Sequence, residues 1–240
     1  MLFRSGADNI DGGTGNNTAS YVGSAAAVTV NLTTGVNTGG DAAGDILTNI
    51  QNLTGSANAD ALTGNTSANI FIGGAGADVL TGGAGADDFV YLAVANSAAS
   101  VAANTTVTFD SITDFTAGTD NINIAAINTV LTGGAAATGV TVTTLTTAAG
   151  SLADTTIANF AELVVAVDNL GLTASAAGAA GAATGIQAYV INLTGNTGAL
   201  GTGTYLLINN ADAVMTAADV MIAWTGTSQA PVGGTDFILA

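Results

Sequence analysis

The sequence predicts a mainly β protein built around short tandem repeats. Two nine-residue units with one shared pattern follow each other directly, at residues 73–81 and 82–90. The chain contains 33 glycines, yet 48% of its residues are apolar, which is more than a disordered chain carries. After residue 127 the repeats stop, and short runs rich in β-branched and aromatic residues predict further strands.

Each repeat has the form G-G-x-G-x-D-x-U-x, where U is a large apolar residue. The glycines permit a tight turn whose backbone angles a side chain would forbid, and they direct carbonyl oxygens toward a shared centre. The aspartates at the sixth position, Asp78 and Asp87, add hard, charged oxygens of the kind that calcium prefers. The apolar residues at the eighth position, Leu80 and Phe89, belong to short strands that point into a core. Repeats in register therefore predict calcium-binding turns joined by strands.

The tandem extends backwards in steps of nine, to units at 64–72 and 55–63. Both keep the first glycine, a large apolar eighth residue and a sixth residue of the right type, Asn69 or Asp60, but lack the second and fourth glycines. The block thus holds four units, from about residue 55 to 90. A half-unit at 6–11 precedes an isolated unit at 12–20, whose sixth residue is an asparagine.

These repeats resemble those of the RTX (repeats-in-toxin) proteins of Gram-negative bacteria. The run 11–21 followed by 28–32, and the run 39–56, are similar to RTX spacers; the run 112–124 is similar to the segment after the roll in serralysin-type C-terminal domains. Beyond residue 127 the likeness rests on the layout and the last residues. The composition, rich in Thr, Ala, Gly and Asn, is similar to that of RTX-type S-layer subunits.

The resemblance implies a parallel β-roll, followed by a β-rich C-terminal cap with one short helix. Two repeats complete one coil, so like-sided turns are two repeats apart and hold a calcium ion between them. On this chain Asp78 would pair with Asp60, and Asp87 with Asn69. We expect few ions of moderate affinity, because Asn69 is uncharged and the first two units lack glycines. The implied metal-site residues are Asp60, Asn69, Gly73, Gly74, Gly76, Asp78, Gly82, Gly83, Gly85 and Asp87.

The charge balance agrees with metal binding. The chain carries 17 acidic residues against the single cation Arg4, with no Lys or His, and its net charge is -16. Such uncompensated charge destabilises a compact state, and an ion that binds only the folded form stabilises it. The alternative is an acidic surface that merely favours solubility, and this is the better interpretation for Asp41, Asp154 and Asp168.

Several function classes are excluded by composition. Without His, Cys or Lys the chain has no zinc-protease motif, no histidine-based triad and no Schiff-base lysine. Glu162 is the only glutamate, which gives a carboxylate-pair glycosidase little support. A single arginine argues against nucleic-acid binding, and no apolar run is long enough to span a membrane. Without cysteine there is no disulfide, which leaves calcium as the available cross-link. We therefore expect a non-enzyme.

We divide the chain into residues 1–127, the RTX β-roll with its spacer, and residues 128–240, a C-terminal β-rich cap and type I secretion region. In the second part we expect a helix at 157–167, a short helical turn from Thr216, and a flexible loop at 174–185. Asn209, Asn210 and Asp212 suggest a second cation loop, but the glycine and terminal glutamate of an EF-hand are missing. Strands are predicted at 140–145, 189–193, 205–208, 220–224 and 237–239.

The resemblance also implies a route of export. Residues 1–4 are too short for a signal peptide, whereas RTX relatives leave the cell by type I secretion, read from an uncleaved C-terminal region. The acidic-then-apolar run 236–240 resembles such an ending; it is also a candidate closing strand, and the two roles are compatible. The chain begins with half a repeat, so we expect it to be part of a longer protein.

Two functions remain. The first is a calcium-ion-binding RTX module of an exported, extracellular bacterial protein, unfolded at low calcium and folding after type I secretion. The second is a calcium-dependent S-layer or adhesin structural protein at the cell surface, whose partners would be further copies of itself or cell-surface polysaccharide.

Overall fold

A computed structural model describes residues 6–97, 109–127, 140–146, 186–193, 203–209, 220–224 and 236–238. Within these ranges the chain is almost entirely β-structure, with three short 3-10 helices at Gly40–Ala42, Val94–Ser97 and Ala125–Ile127. The repeat region and its flanks form strands β1 (Asn9–Asp11), β2 (Thr18–Ser20), β3 (Thr29–Asn31), β4 (Ile46–Thr48), β5 (Asn52–Thr54), β6 (Ala61–Thr63), β7 (Ile70–Ile72), β8 (Val79–Thr81), β9 (Asp88–Val90), β10 (Asp110–Ile112) and β11 (Asn121–Asn123). The C-terminal strands are β12 (Val140–Thr146), β13 (Ile186–Leu193), β14 (Gly203–Asn209), β15 (Val220–Trp224) and β16 (Phe237–Ile238).

The repeats wind into a parallel β-roll. Successive strands alternate between two sheets, so β5, β7 and β9 are neighbours in one sheet while β6 and β8 are neighbours in the other. In the first sheet Leu53 is in register with Phe71, and Phe71 with Phe89; in the second, Leu62 is in register with Leu80. Each of these pairings joins residues that are two repeats apart. The predicted fold class, and the coil of two repeats that it implied, are therefore confirmed.

The core lies between the two sheets and is filled in the repeats by the middle residue of each three-residue strand. Side chains alternate between the two faces of a strand, so in a three-residue strand only the middle one points inward. Phe71, Phe89 and Leu62 are completely buried, and the rings of Phe71 and Phe89 stack with centroids 5.3 Å apart. Residues on either side of these positions are partly or largely exposed. The eighth position of the repeat therefore supplies the core, as the sequence predicted.

Before and after the four repeats the roll continues with longer connections. Val30 of β3 is in register with Leu62, and Ile112 of β10 with Leu80, so these steps span 32 residues instead of 18. The strands β1 and β4 form a separate parallel pair. The strands on both sides of the repeats therefore keep the register of the roll across connections of a different length.

The C-terminal strands extend both sheets. Strand β15 pairs with β10 in parallel, and β16 pairs with β11 in parallel. Strands β13, β14 and β15 are antiparallel neighbours, and β12 joins β13 in parallel. The five strands predicted in this part of the sequence are all present.

Several predictions fall outside the described residues: the helix at 157–167, the helical turn from Thr216, the loop at 174–185, and Asn210 and Asp212 of the second cation loop. No helix in the part of the chain that the structure describes is both long and apolar enough to cross a membrane.

Candidate metal centre

The turns of the four repeats stack in two pairs, one at each edge of the roll. Turn 73–78 lies against turn 55–60, and the backbone N–H of Asp60 donates to Asp78 Oδ1 at 2.8 Å. Turn 82–87 lies against turn 64–69, and the N–H of Asn69 donates to Asp87 Oδ1, also at 2.8 Å. The structure thus brings together both of the predicted partners, Asp60 with Asp78 and Asn69 with Asp87.

The glycines of the two complete repeats let neighbouring turns approach closely. Gly74 and Gly76 have φ angles of 112° and 134°, in a region that residues with a side chain rarely adopt. A Cβ atom on Gly76 would lie 2.7 Å from the Asn58 carbonyl oxygen, and one on Gly74 would overlap the Ser56 carbonyl oxygen. Gly83 and Gly85 make the same approach to the carbonyls of Asn65 and Ser67. Carbonyl oxygens of one turn therefore face the glycines of the next.

The first glycine of each repeat makes room for the aspartate of its own turn. A Cβ atom on Gly73 would collide with Asp78 Oδ2, and one on Gly82 with Asp87 Oδ2. The Gly73 carbonyl oxygen in turn faces Gly55, beside Asp60 Oδ2. Backbone carbonyls and carboxylate oxygens therefore share the space between turns 55–60 and 73–78.

Asp78 and Asp87 are both about 1% exposed. Among the described residues, Oδ2 of each is a buried oxygen without a hydrogen-bond partner. Burial raises the pKa of Asp78 to about 7, against the opposing effect of its hydrogen bond from Asp60 N–H, and the charge of Asp60 raises it further. Burial likewise raises the pKa of Asp87 to about 6. A buried carboxylate without compensation is costly, and a cation beside it would offset that cost.

Asp60 and Asn69, the partners that come first in the sequence, have hydrogen bonds that Asp78 and Asp87 lack among the described residues. Asp60 accepts hydrogen bonds from the N–H groups of Val28 and Ser56, at 2.8 and 2.5 Å, and burial raises its pKa. The amide of Asn69 donates to the Gln51 carbonyl at 2.5 Å and accepts from Asn65 N–H at 2.9 Å. One pair of turns therefore holds two carboxylates, whereas the other holds one carboxylate and one neutral amide.

Sequence reasoning missed two buried carboxylates that continue these columns. Asp110 Oδ1 accepts from Asp78 N–H at 2.9 Å, and its pKa is raised to about 8, by burial first and then by the charge of Asp78. Asp120 Oδ1 accepts from Asp87 N–H at 2.9 Å. Both precede a core residue by two positions, Ile112 and Ile122 respectively. The same relation of sixth to eighth position, read without the glycines, would have found them.

A third missed residue closes the last complete repeat. The two oxygens of the Asp114 carboxylate accept from the N–H groups of Gly82 and Gly83, each at 2.8 Å. This carboxylate therefore binds the first two N–H groups of turn 82–87.

The donor set fits a hard divalent cation. No three His, Cys, Asp or Glu side chains of the described residues converge into one metal cluster, so an ion here would need backbone carbonyls beside one or two aspartates. Calcium is bound by six to eight oxygens of this mixed kind, in flexible geometry. The buried, unpartnered oxygens of Asp78 and Asp87 and the glycine-lined contact with neighbouring carbonyls meet that requirement.

Comparison with known proteins agrees with this geometry. No curated protein matches the chain. Residues 11–169 match the model of the family described as peptidase M10 serralysin C terminal. Domains of that family are non-catalytic calcium-binding repeat regions of secreted proteins, built of RTX-type β-roll repeats. The match covers more than half of the sequence and includes all four repeats, so this chain belongs to the peptidase M10 serralysin C-terminal family.

Proposed function

We propose that this chain is the calcium-binding RTX module of an exported bacterial protein, with ions held between turns 55–60 and 73–78 and between turns 64–69 and 82–87. The observation that carries the proposal is the pair of buried oxygens, Asp78 Oδ2 and Asp87 Oδ2, that no described group satisfies. Asp60, Asn69 and carbonyls of the six repeat glycines would complete the two shells.

The proposed mechanism is a metal-dependent folding switch. At low calcium the net charge of -16 and the buried carboxylates oppose compaction, so the chain stays unfolded inside the cell. Outside the cell, millimolar calcium binds the folded form. Each ion stabilises that form by about 2.7 kcal/mol when calcium is a hundredfold above its dissociation constant.

The C-terminal end would be read by the type I secretion machinery before folding. Phe237 is buried in β16, beside β11, and Asp236 Oδ1 accepts from Gly118 N–H at 2.8 Å. These contacts tie the last strand to the folded roll, which supports a signal that is accessible only in the unfolded chain. We accordingly keep residues 128–240 as the cap and secretion region and residues 1–127 as the roll.

A calcium titration tests the switch. We expect far-UV circular dichroism to report a change from disordered to β-rich on adding calcium, and calorimetry to report bound ions. The double variant Asp78→Asn/Asp87→Asn keeps the shape of both side chains and removes their charge, so it should lose most of the response. Asp41→Asn, on the partly exposed 3-10 helix Gly40–Ala42, is the matched control and should respond like the wild type. A chain equally folded with chelator and with calcium would contradict the proposal.

A second function is favoured by composition. The chain is rich in Thr, Ala, Gly and Asn and has no lysine, as RTX-type S-layer subunits do. As a calcium-dependent S-layer or adhesin part it would bind further copies of itself or cell-surface polysaccharide. Light scattering during the same titration separates the two functions: ordered assembly with calcium favours this one, and a soluble monomer favours the first.

A further inference from the structure

The isolated repeat at 12–20 keeps the positive-φ glycines of a complete repeat without its aspartate. Gly13 and Gly15 have φ angles of 70° and 101°, so both lie in the positive-φ region that Gly74 and Gly76 also occupy. The strand that follows, β2, joins the same sheet as β5 and buries Ala19 completely. The sixth residue, however, is Asn17. Turn 12–17 is therefore shaped like a cation-binding turn but has no carboxylate at the position that would face the ion.

The side-chain amide of Asn17 occupies the centre of this turn. Its nitrogen donates to the Asn49 carbonyl oxygen at 3.0 Å and lies 3.3 and 3.5 Å from the carbonyl oxygens of Gly15 and Gly13. An asparagine NH₂ group offers two hydrogens and no lone pair, so it is attracted by the same oxygens that attract a cation. Three carbonyls, from two separate segments of chain, thus converge on one nitrogen atom.

The segment that faces turn 12–17 is fixed by further hydrogen bonds. Asn49 has a φ angle of 55°, which is unusual for a residue with a side chain, and its own amide donates to Asp11 Oδ1 at 2.7 Å. Asp11 also accepts from Gly13 N–H at 2.9 Å, and Gln51 Oε1 accepts from Asn17 N–H at 2.8 Å. Turn 12–17 and the facing segment 49–51 are therefore joined by hydrogen bonds between protein groups.

Asn69, two coils further along the same edge, also donates from its side-chain amide. Its nitrogen donates to the carbonyl of Gln51, the residue whose side chain holds Asn17, and lies 3.3 Å from Asn65 Oδ1. At Asp78 and Asp87, by contrast, one carboxylate oxygen points into the turn without a partner. Asn17 and Asn69 thus supply a donor within the roll, whereas Asp78 and Asp87 each leave one oxygen without one among the described residues.

We propose that the Asn17 amide takes the place of a cation, so that turn 12–17 closes without calcium. This inference deepens the proposed function, on which its count of ions rests. It assigns no ion to turn 12–17, and it predicts that a carboxylate at residue 17 creates a site there.

The test is the number of calcium ions per chain, measured by calorimetry on the full chain. We expect Asn17→Asp to bind one ion more than the wild type and to need calcium for its stability, because the variant places a carboxylate among three carbonyls. Asn16→Asp adds the same charge one residue away and should leave the count unchanged. An unchanged count in Asn17→Asp, or a failure of that variant to fold at any calcium concentration, would overturn the proposal.

A second pair of variants tests the amide itself without relying on an ion count. Asn17→Ala removes the donor, and we expect it to lower Tm at saturating calcium by about 2–4 °C, the shift for one hydrogen-bonded contact in a protein of this size. Thr14→Ala, at an exposed position of the same turn, should leave Tm unchanged. Equal Tm values for the two variants would refute the role of Asn17, whereas a wild type that binds no calcium would refute the proposed function instead.

Discussion

Without calcium, the roll should be more stable in mild acid than at alkaline pH, opposite to most proteins. The folded state raises the pKa of Asp78 from 3.8 to about 7, chiefly by burial. Between these values the folded state binds more protons than the unfolded state, so stability falls as pH rises through this window. This rise in the pKa of Asp78 corresponds to on the order of 4 kcal/mol of folding free energy. That stabilisation is fully lost once the pH exceeds the folded-state pKa. Asp87 and Asp110, with pKa values of about 6 and 8, act in the same direction.

The assay is the β-content of the calcium-free chain, measured by circular dichroism at pH 5, 6, 7 and 8 in buffer freed of calcium by a chelating resin. We expect a chain that is disordered at pH 8 to gain β-structure steadily toward pH 5, and we expect saturating calcium to remove that trend. Asp78→Asn should reduce the slope of the calcium-free curve, since an amide cannot titrate, while Asp87 and Asp110 keep part of it. Asp41→Asn changes the net charge equally and should keep the slope, which separates the buried carboxylate from general repulsion. A β-content that is constant or rises with pH would refute the reasoning.

Two further predictions concern the packing of the roll. Phe71→Ala should destabilise the calcium-bound protein by about 3–5 kcal/mol, because it removes a fully buried ring that stacks on Phe89. Val79→Ala, at a largely exposed position, should have little effect. The Tm of each variant measures both effects. Gly76→Ala should cost more stability than Gly118→Ala. Both glycines have positive φ, but only a side chain at residue 76 would press on a neighbouring carbonyl, so equal losses in urea unfolding would contradict the role assigned to the stacked turns.

The regular part of the fold could be read from the sequence because one spacing governs it. The apolar eighth residue recurs every nine positions, and the structure places each of these residues in register with the one two repeats away, as Phe71 is with Phe89. The glycine pattern likewise located the two complete turns and the aspartates inside them. Within the four repeats the sequence pattern recurs every nine residues, and strands pair with those two repeats away. The position of a residue in its repeat therefore determines its partner in the sheet.

The irregular part could not be read in this way, because the connections outside the four repeats are not multiples of nine residues. Asp78 meets Asp110 after 32 residues, and Asp87 meets Asp120 after 33, so counting in steps of nine misses both partners. Lengthening a connection costs little entropy, so connections of several lengths are tolerated. The sequence marks the next coil only by an aspartate two positions before a core residue, without the glycines, and the hydrogen bond from the backbone N–H of the preceding coil identifies it in the folded chain.

The columns of sixth residues explain how one roll combines metal-dependent and metal-independent turns. Along one edge, Asp60, Asp78 and Asp110 each accept a backbone N–H from the preceding coil, so consecutive turns are linked by carboxylates that repel one another. Asn17 and Asn69 instead donate to carbonyls and bring no charge. A carboxylate oxygen at the sixth position requires a cation or a hydrogen-bond donor, whereas an amide nitrogen there is itself a donor and requires an acceptor. A chain with both kinds of turn can combine aspartate turns that require calcium, between residues 55 and 90, with turn 12–17, which the Asn17 amide already closes.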